Sequence, residues 1–450
     1  GSLNRQIWGG VDTFTSYYRW TPFTVDEKRA INEEIGRAVT LMHEGRSAAD
    51  IALLYPADAL MAGFEPQLRW GGGAGARRVA GFVNSAGAAL FQAGRSFMFV
   101  AAGTLASAKV EDGVLVATPA RAPDGPKLRW RTVVLPAATT LPVEAVRRLA
   151  AFRRAGGLVI ALGDRPVNSR TAFPDAEVAE LTKDWLLLPD AQAALLADFL
   201  AVRHAPALRR VRGDAGALRV AHRRTARGDV FFVLNDTESP WSGAVALACD
   251  VPVRVWDPRT GSVRPAGGEV ALDLPGYAGV LLTTEVPVDG ALASVDAAAF
   301  VPRLAAIAEP VQSVHLGKGQ FVKGGSKPLA DGWDRVDVEL TRSNVDTFAF
   351  LSRVYAKCTF SAASKGVGFH VRVPETTGGN TQSGVFLVTR DGSQWYAQGH
   401  VPLSKKGEAE VVCAFGEFAL HGKPRGGPAK TFRPEDVVRV NFGFGGYFGQ

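Results

Sequence analysis

Apolar and polar positions follow two different periods along residues 131–166, and this stretch gives the clearest local prediction in the chain. Residues 132–135 and 158–162 are short apolar runs, as expected for buried strands of a parallel sheet. Between them, apolar side chains recur at helical spacing over 143–150. Gly156-Gly157 can end that helix, because glycine accepts the left-handed conformation of a C-terminal cap. The stretch therefore predicts a right-handed βαβ unit in a doubly wound α/β layer.

Three segments that precede this unit also have recognisable patterns. A helix is predicted over 25–44, closed by Gly45, after an irregular aromatic segment. Residues 109–117 predict a hairpin with Asp112-Gly113 as its turn. The glycine-rich stretch 71–81 follows no clear strand and lacks the Lys-Ser/Thr pair of a phosphate-binding loop, so we expect a flexible surface loop there.

Beyond Pro206 the pattern changes to short apolar runs separated by turn residues, which is typical of antiparallel β-sandwiches. In the first such region the predicted strands are 218–222, 230–234, 244–248, 253–256 and 279–283. In the second region they are 335–340, 348–351, 368–373, 385–389, 409–415 and 437–442. The second set indicates a jelly-roll module.

The 450 residues are enough for about three domains, and 46% of them are hydrophobic, which is ample for several cores. We expect five segments, with these bounds: 1–46, an aromatic loop plus helix; 47–205, an α/β domain; 206–285, a small β-sandwich; 286–310, a linker; 311–450, a jelly roll. No run of ~18 apolar residues occurs, so we expect no membrane span and no membrane partner.

Charge and metal-ligand spacing argue against two other classes of function. The formal charge is +7, but the arginine pairs are scattered and lack interleaved aromatic residues, so solvated faces are favoured over nucleic-acid binding. The seven histidines form no His-x-His or His-Glu-x-x-His spacing, and the three cysteines stand singly in strand-like runs. We therefore predict no metal site and no cofactor.

Four passages resemble parts of large glycoside hydrolases of the β-galactosidase and rhamnosidase type. They are residues 31–56 (INEEIGRAVTLMHEGRSAADIALLYP), 133–166 (VVLPAATTLPVEAVRRLAAFRRAGGLVIALGDRP), 230–247 (VFFVLNDTESPWSGAVAL) and 253–265 (VRVWDPRTGSVRP). The tail after Val311, with KGVGFHVRVP and FGFGGYFG, resembles carbohydrate-binding jelly-roll modules. The resemblance implies the end of a catalytic barrel, then a flavodoxin- or amidotransferase-like parallel α/β domain, followed by two antiparallel β-sandwiches.

The catalytic residues of those families have no counterpart in this sequence. A glycosidase needs two carboxyl groups that flank the scissile bond, and these families mount them on barrel strands. We expect room here for at most one barrel strand, with the native start missing. An amidotransferase needs a cysteine nucleophile, whereas the first cysteine, Cys249, follows the whole α/β domain. We therefore predict no catalytic residue and doubt activity for this chain alone.

Sugar binding is the chemistry that remains, because pyranose rings present flat apolar faces that stack on aromatic side chains. The candidates in the last module are Trp395, Tyr396, Trp333 and Tyr447. Since Trp395 and Tyr396 are adjacent, on a strand they point to opposite faces, and only one can serve a given face. Near the N-terminus the candidates are the barrel-mouth aromatics Trp8, Tyr17, Tyr18 and Trp20, for which packing of the following helix is the alternative.

The sequence thus leaves two hypotheses open. The first is a non-catalytic C-terminal portion of a bacterial carbohydrate-active enzyme, with a glycoside hydrolase as parent. It would contribute to assembly with an N-terminal catalytic barrel and bind a polysaccharide or oligosaccharide. The alternative is an interaction or oligomerisation module, such as a homo-oligomer, that binds no sugar. For the first hypothesis we expect a secreted or periplasmic parent protein.

Overall fold

Two units make up the chain in the computed structural model: residues 1–189 with 195–300, and residues 190–194 with 301–450. The structure describes residues 2–14, 23–66, 73–119, 126–188, 195–213, 217–293, 305–329, 332–342, 345–357, 360–361, 364–377, 381–404, 406–422 and 432–448. The division into five segments proposed from the sequence stays a prediction.

The first unit contains a five-stranded parallel sheet. Its strands in spatial order are Phe97–Val100, Ile51–Leu54, Thr132–Pro136, Leu158–Leu162 and Leu186–Leu188. In chain order this is 2-1-3-4-5, and every neighbouring pair is parallel. The helix Val143–Arg154 joins the two central strands, which confirms the predicted βαβ unit.

Helices and a small antiparallel sheet cover the parallel sheet. The other helices are Ala57–Ala62, Gly73–Gln92, Ala102–Ser107, Ala176–Thr182 and Leu196–Arg203, and the small sheet consists of Lys109–Glu111, Val114–Ala117 and Leu128–Trp130. The first two small-sheet strands form the predicted hairpin. The side chains of Trp130, Phe152 and Trp185 are fully buried in the core beneath the helix Val143–Arg154.

The prediction of a flexible loop over 71–81 is wrong, because the helix Gly73–Gln92 begins in this stretch. Ala76, Val79, Phe82, Val83 and Leu90 are all buried along this helix, at helical spacing. Burial of that stripe outweighs the cost of several glycines, each of about 1 kcal/mol relative to alanine.

Two antiparallel sheets form a sandwich in the same unit. The larger sheet, in spatial order, contains Arg46–Ser47, Leu218–Thr225, Gly228–Asn235, Gly279–Thr284, Val253–Asp257 and Ser262–Ala266. The smaller contains Leu208–Arg212, Trp241–Leu247 and Glu269–Leu274, and a separate short pair joins His204–Ala205 to Ala291–Leu292. Each of the five strands predicted in this region lies on an observed strand.

The N-terminal helices Ser2–Trp8 and Val25–His43 pack against this sandwich. Ile7, Ala38 and Met42 form one cluster with Phe232 and Leu281 of the larger sheet. The helix Val25–His43 confirms the prediction over 25–44, whereas part of the expected irregular aromatic segment is helical. None of the helices in the described ranges is long and apolar enough to cross a membrane.

A buried ion cluster ties the sandwich to the loop after its last long strand. Asp229 is fully buried and accepts hydrogen bonds from Arg224 at 2.8 and 2.9 Å and from the backbone N–H of Val288 at 2.7 Å. The Nε2 atom of His222 lies 3.0 Å from the same carboxylate. Burial acts against the charge, but the hydrogen bonds from Arg224 and His222 outweigh it and hold the pKa of Asp229 well below its usual range.

The second unit is built around a six-stranded antiparallel sheet, which we call the large sheet. In spatial order it contains Val311–Lys318, Val345–Tyr355, Val437–Phe448, Gln382–Thr389, Gln394–Pro402 and Ala419–Gly422. A second layer pairs Gly366–Val373 with Gly407–Ala414, and a separate hairpin pairs Val322–Pro328 with Asp334–Leu340. Two single-turn 3₁₀ helices, Phe415–Glu417 and Pro434–Asp436, complete the unit.

The inner face of the large sheet carries the core of this unit. Val385, Leu387 and Val440 of the large sheet pack in one cluster with Val367 and Val411 of the second layer. The side chains that alternate with these residues along the strands must therefore lie on the outer face, away from the second layer.

Candidate functional site

The outer face of the large sheet carries a row of aromatic and polar side chains that crosses the strands. The strand register aligns Ser352 with Asn441, Asn441 with Phe386, and Phe386 with Tyr396. Residues directly opposite in an antiparallel sheet share a face and lie about 4.5–5.5 Å apart. Five neighbouring strands contribute to the row, since His315 of the edge strand pairs with Ser352.

Four rings pack against one another on this face, and we call them the aromatic strip: Phe350, Phe386, Tyr396 and His421. Phe386 is the centre, with ring centroids 5.1 Å from Phe350, 4.8 Å from Tyr396 and 5.0 Å from His421. Phe386 and Tyr396 are both partly exposed, and His421 is exposed. Phe350 is buried, at 9% exposure, so the connected ring surface that the strip offers to solvent comes from Phe386, Tyr396 and His421.

Glycines under the strip let two of the rings lie low over the sheet. The ring of Tyr396 occupies the space of a side chain at Gly384, where a Cβ would come within 2.8 Å of it. The ring of Phe350 is placed in the same way over Gly445, at 3.2 Å. Each ring thus lies over a diagonal cross-strand glycine, where Tyr396 stays partly exposed and Phe350 is buried.

Polar groups flank the strip on the same face. The hydroxyl of Ser352 donates a hydrogen bond to Oδ1 of Asn441 at 2.6 Å, which holds that amide beside Phe386. Gln398 and His315 are exposed at neighbouring register positions. Burial raises the pKa of Tyr396, so its hydroxyl stays a neutral donor and acceptor around pH 7. Amide and hydroxyl groups beside exposed rings are the combination that sugar hydroxyls and pyranose faces require.

The two adjacent candidates Trp395 and Tyr396 lie on opposite faces of their strand. Trp395 is 6% exposed and belongs to the core cluster between the layers, with its ring 5.2 Å from that of Phe432. Tyr396 belongs to the aromatic strip. Of this pair, Tyr396 is therefore the ring available on the outer face.

The other candidates of the second unit lie outside the strip. Trp333 is half-buried near the turn of the separate hairpin, and the guanidinium of Arg372 lies 5.1 Å from its ring centroid. Tyr447 belongs to the large sheet, where its backbone pairs with Asp346, but its side chain lies outside the described part of the structure.

Of the four barrel-mouth candidates, Trp8 is the one that lies in the described residues. It lies at the end of the helix Ser2–Trp8, and its ring meets that of Phe91 edge-on at 4.7 Å. Tyr17, Tyr18 and Trp20 lie outside the described residues. In the described part of the chain Trp8 therefore contributes to packing against the helix Gly73–Gln92.

The carboxyl edge of the parallel sheet, where α/β layers commonly bind ligands, carries an ion pair formed by Asp164, and Asp58 pairs with Arg170 at 2.7 Å in the segments that follow the strands. Asp164 follows the strand Leu158–Leu162 and pairs with Arg78. Among the described residues, no group of three or more histidine, cysteine or acidic side chains could hold a metal ion.

Sequence reasoning missed most of the aromatic strip. Phe350 and Phe386 lie in predicted strands, 348–351 and 385–389, but were not singled out, because an isolated phenylalanine in an apolar run is indistinguishable from a core residue. His421 lies in an unpredicted strand. A usable signal was present for Phe386, since it alternates with Val385 and Leu387 and must face away from them.

Comparisons with known proteins find likeness in solved structures only, since no protein-family model and no curated protein matches the chain. A rhamnosidase from Novosphingobium sp. PP1Y matches 99% of this chain at 16% identity and a TM-score of 0.42, over 41% of its own length. A β-galactosidase from Bacillus circulans sp. alkalophilus matches 58% of this chain at 12% identity and a TM-score of 0.38, over 45% of its own length.

A carbohydrate-binding module is a further match among the solved structures. A family 11 carbohydrate-binding module from Clostridium thermocellum, solved with a β-1,3-1,4-mixed-linked tetrasaccharide, matches 32% of this chain at 13% identity and a TM-score of 0.24, over 88% of its own length. This chain thus spans about two fifths of the rhamnosidase and resembles glycoside hydrolases and a carbohydrate-binding module at low identity.

Proposed function

We propose that this chain is a non-catalytic portion of a carbohydrate-active enzyme, and that the outer face of the large sheet binds a polysaccharide. The observation that carries the proposal is the aromatic strip, in which Tyr396 lies over Gly384 and remains partly exposed beside Phe386 and His421. Stacking on such a platform removes the apolar face of a pyranose ring from water, while Asn441 and Gln398 are placed to bind its hydroxyl groups.

The proposal includes a division of labour within the parent chain, which would be a glycoside hydrolase. A catalytic barrel of that parent would hydrolyse the substrate, and the residues described above would not. The order of the parallel sheet, 2-1-3-4-5, is that of flavodoxin-like layers, which supports the resemblance of the α/β domain to amidotransferase-like domains. That domain would serve assembly, because no nucleophile was recognised in it. A secreted or periplasmic parent, with access to polysaccharides, follows from the same proposal.

Affinity electrophoresis in gels that contain soluble polysaccharides tests the proposal. We expect the wild-type chain to be retarded by at least one neutral glucan, galactan or rhamnan. The variant Tyr396→Ala should bind at least about tenfold more weakly, a loss of ~1.4 kcal/mol, because it removes the exposed ring of the strip. Tyr55→Ala is the matched control, since Tyr55 is 52% exposed in the first unit.

Two results would contradict the proposal. One is a wild-type chain that no polysaccharide retards; together with a mass that rises with protein concentration, this would favour an oligomerisation module. The other is equal retardation of the Tyr396→Ala variant and the wild type.

A further inference from the structure

A cavity of about 360 Å³ lies at one end of the large sheet, apart from the aromatic strip. The turn after the strand Gln382–Thr389 forms one side of it, with Arg390 and Asp391. Residues Arg433 and Asp436 form another side, and Trp395 lines it from the strand Gln394–Pro402. The volume is near the lower end of the range for ligand sites, about 300–1,000 Å³, and suits a ligand of one or two rings.

The walls of the cavity are held in place by contacts within the unit. Oδ1 of Asp391 accepts hydrogen bonds from the hydroxyl of Thr389 at 2.6 Å and from the backbone N–H of Ser393 at 3.0 Å. Oδ2 accepts a third from the hydroxyl of Ser393, also at 3.0 Å. The backbone N–H of Arg390 donates to the carbonyl of Asp436 at 2.9 Å, which joins the two sides.

The segment that carries Arg433 is anchored in the core by the residue before it. The ring of Phe432 lies 5.2 Å from Trp395, 5.5 Å from Phe415 and 5.9 Å from Phe418. Within the described residues, the indole Nε1 of Trp395 is buried without a hydrogen-bond partner, although buried indole N–H groups normally have one. Because this nitrogen is shielded from solvent, its N–H signal reports on changes in the wall of the cavity, to which Trp395 belongs.

We propose that this cavity is a second carbohydrate site, which takes the terminal ring of a neutral glycan. Its lining combines guanidinium donors with carboxylate acceptors, and a vicinal diol can accept from the former while it donates to the latter. An acidic sugar would place its carboxylate beside Asp391 and Asp436, and a cationic ligand would meet Arg390 and Arg433. Trp395 is only 6% exposed, so hydroxyl recognition rather than stacking would dominate.

Titration of the full chain with methyl pyranosides, followed by NMR of the indole N–H signals, tests the inference. The probes are the methyl glycosides of glucose, galactose and rhamnose. We expect one of them to shift the Trp395 signal in a saturable way, with a dissociation constant on the order of 1–10 mM for so small a ligand. The variant Trp395→Phe identifies this signal among the nine tryptophans by its disappearance.

Variants of the cavity distinguish this site from the aromatic strip. Asp436→Asn should weaken monosaccharide binding at least about fivefold, and Arg433→Gln serves as a second variant if Asp436→Asn fails to fold. The control Asp337→Asn, which removes an exposed carboxylate paired with Arg335 at 2.9 Å, should leave binding unchanged. Tyr396→Ala should weaken polysaccharide binding but not monosaccharide binding.

Three results would overturn the inference: no saturable shift of the Trp395 signal with any probe, equal binding by Asp436→Asn and the wild type, or loss of monosaccharide binding in Tyr396→Ala. Polysaccharide retardation without monosaccharide binding would refute the cavity alone and leave the sheet-face proposal standing. Monosaccharide binding at Trp395 without polysaccharide retardation would refute the sheet-face proposal and leave the cavity proposal standing.

Discussion

Asp229 carries a charge that is held in the interior of the first unit. Its lowered pKa means that the folded chain binds this proton less tightly than the unfolded chain does. The resulting stabilisation is present above the ordinary carboxyl pKa of about 4 and is lost as the pH falls below it. Acid should therefore weaken the sandwich of the first unit.

Replacement of Asp229 by asparagine should lower the free energy of unfolding of the first unit by about 3 kcal/mol. The physical reason is that the largely buried Arg224 would lose its fully buried carboxylate partner and keep only the exposed carboxylate of Asp289, at 2.8 Å. Urea unfolding of the variant and the wild type measures the difference. Asp337→Asn is the control and should cost less than ~0.5 kcal/mol, since both partners of that pair are more than half exposed. A similar cost for the two variants would contradict the expectation.

The raised pKa of Glu417 predicts that the stability of the second unit depends on pH with the opposite sign. Burial raises its pKa to about 7, against a hydrogen bond from the backbone N–H of Ala414 that favours the charged form. The folded state then retains a proton that the unfolded state releases above its ordinary pKa of 4.5. The free energy of unfolding should fall as the pH rises from about 4.5 to about 7, by roughly 1–3 kcal/mol.

The variant Glu417→Gln tests this dependence, because glutamine cannot titrate. Thermal unfolding from pH 4.5 to pH 7.5 should show a smaller decline for the variant than for the wild type. Parallel curves for the two proteins would show that Glu417 titrates at its ordinary pKa.

Single residues of the candidate site could be predicted from the sequence only where a neighbour constrained them. The adjacency of Trp395 and Tyr396 already required opposite faces, and the structure places them so. Which of them faces the core could not be predicted, because that depends on which face the second layer covers. His421 contributes through a short edge strand with little apolar pattern of its own, and nothing local marks it.

Among the elements, the strands Gln382–Thr389 and Gln394–Pro402 determine the height of the aromatic strip above the sheet. The variant Gly384→Ala should displace the Tyr396 ring, because the new Cβ would come within 2.8 Å of it. We expect polysaccharide binding to weaken by about three- to tenfold, with a stability change below that of a core mutation, since the ring can move outward. Gly325→Ala is the control, because no atom lies within 4 Å of the corresponding Cβ. Unchanged retardation of Gly384→Ala would indicate that ring height does not matter.

Elements with a strong apolar pattern were predicted well, and those without one were missed. The buried strands Thr132–Pro136 and Leu158–Leu162 and the helix between them match their predictions within a residue or two. The strand Val311–Lys318 was missed, because most of its residues are exposed and it alternates weakly. In the helix Gly73–Gln92 the glycines locally favour a loop, and only burial of the apolar stripe against the rest of the fold makes the stretch helical.

At the scale of the whole molecule, two separate units predict two separable functions. A fragment of residues 301–450 should fold by itself, since the large sheet and the second layer enclose their own core. We expect it to retain the polysaccharide retardation of the full chain, and residues 1–300 to show none. Circular dichroism and affinity electrophoresis of the two fragments measure this. Retardation of residues 1–300 alone would contradict this expectation, because it would place sugar binding in the first unit.

The proposed division of labour predicts that the full chain does not hydrolyse glycosides. Aryl β-galactosides and aryl α-rhamnosides should be released no faster than in buffer, because an acid and a base flanking the bond were not found in the sequence. The control is a commercial glycosidase in the same buffer. Clear turnover that co-purifies with the chain would require a catalytic site that the sequence and the described residues do not reveal.

The adjacency of Trp395 and Tyr396 has a consequence for any glycan that meets this protein. In the two proposed sites, consecutive residues of one strand serve a terminal ring on one side and an internal segment on the other. A ligand that shifts this strand at one site would then alter affinity at its neighbour, and thermodynamic linkage makes the effect equal in both directions. Binding of a chain end and binding of a chain interior would then depend on each other. The protein would therefore have different affinities for a polysaccharide that has been shortened and for one that has not.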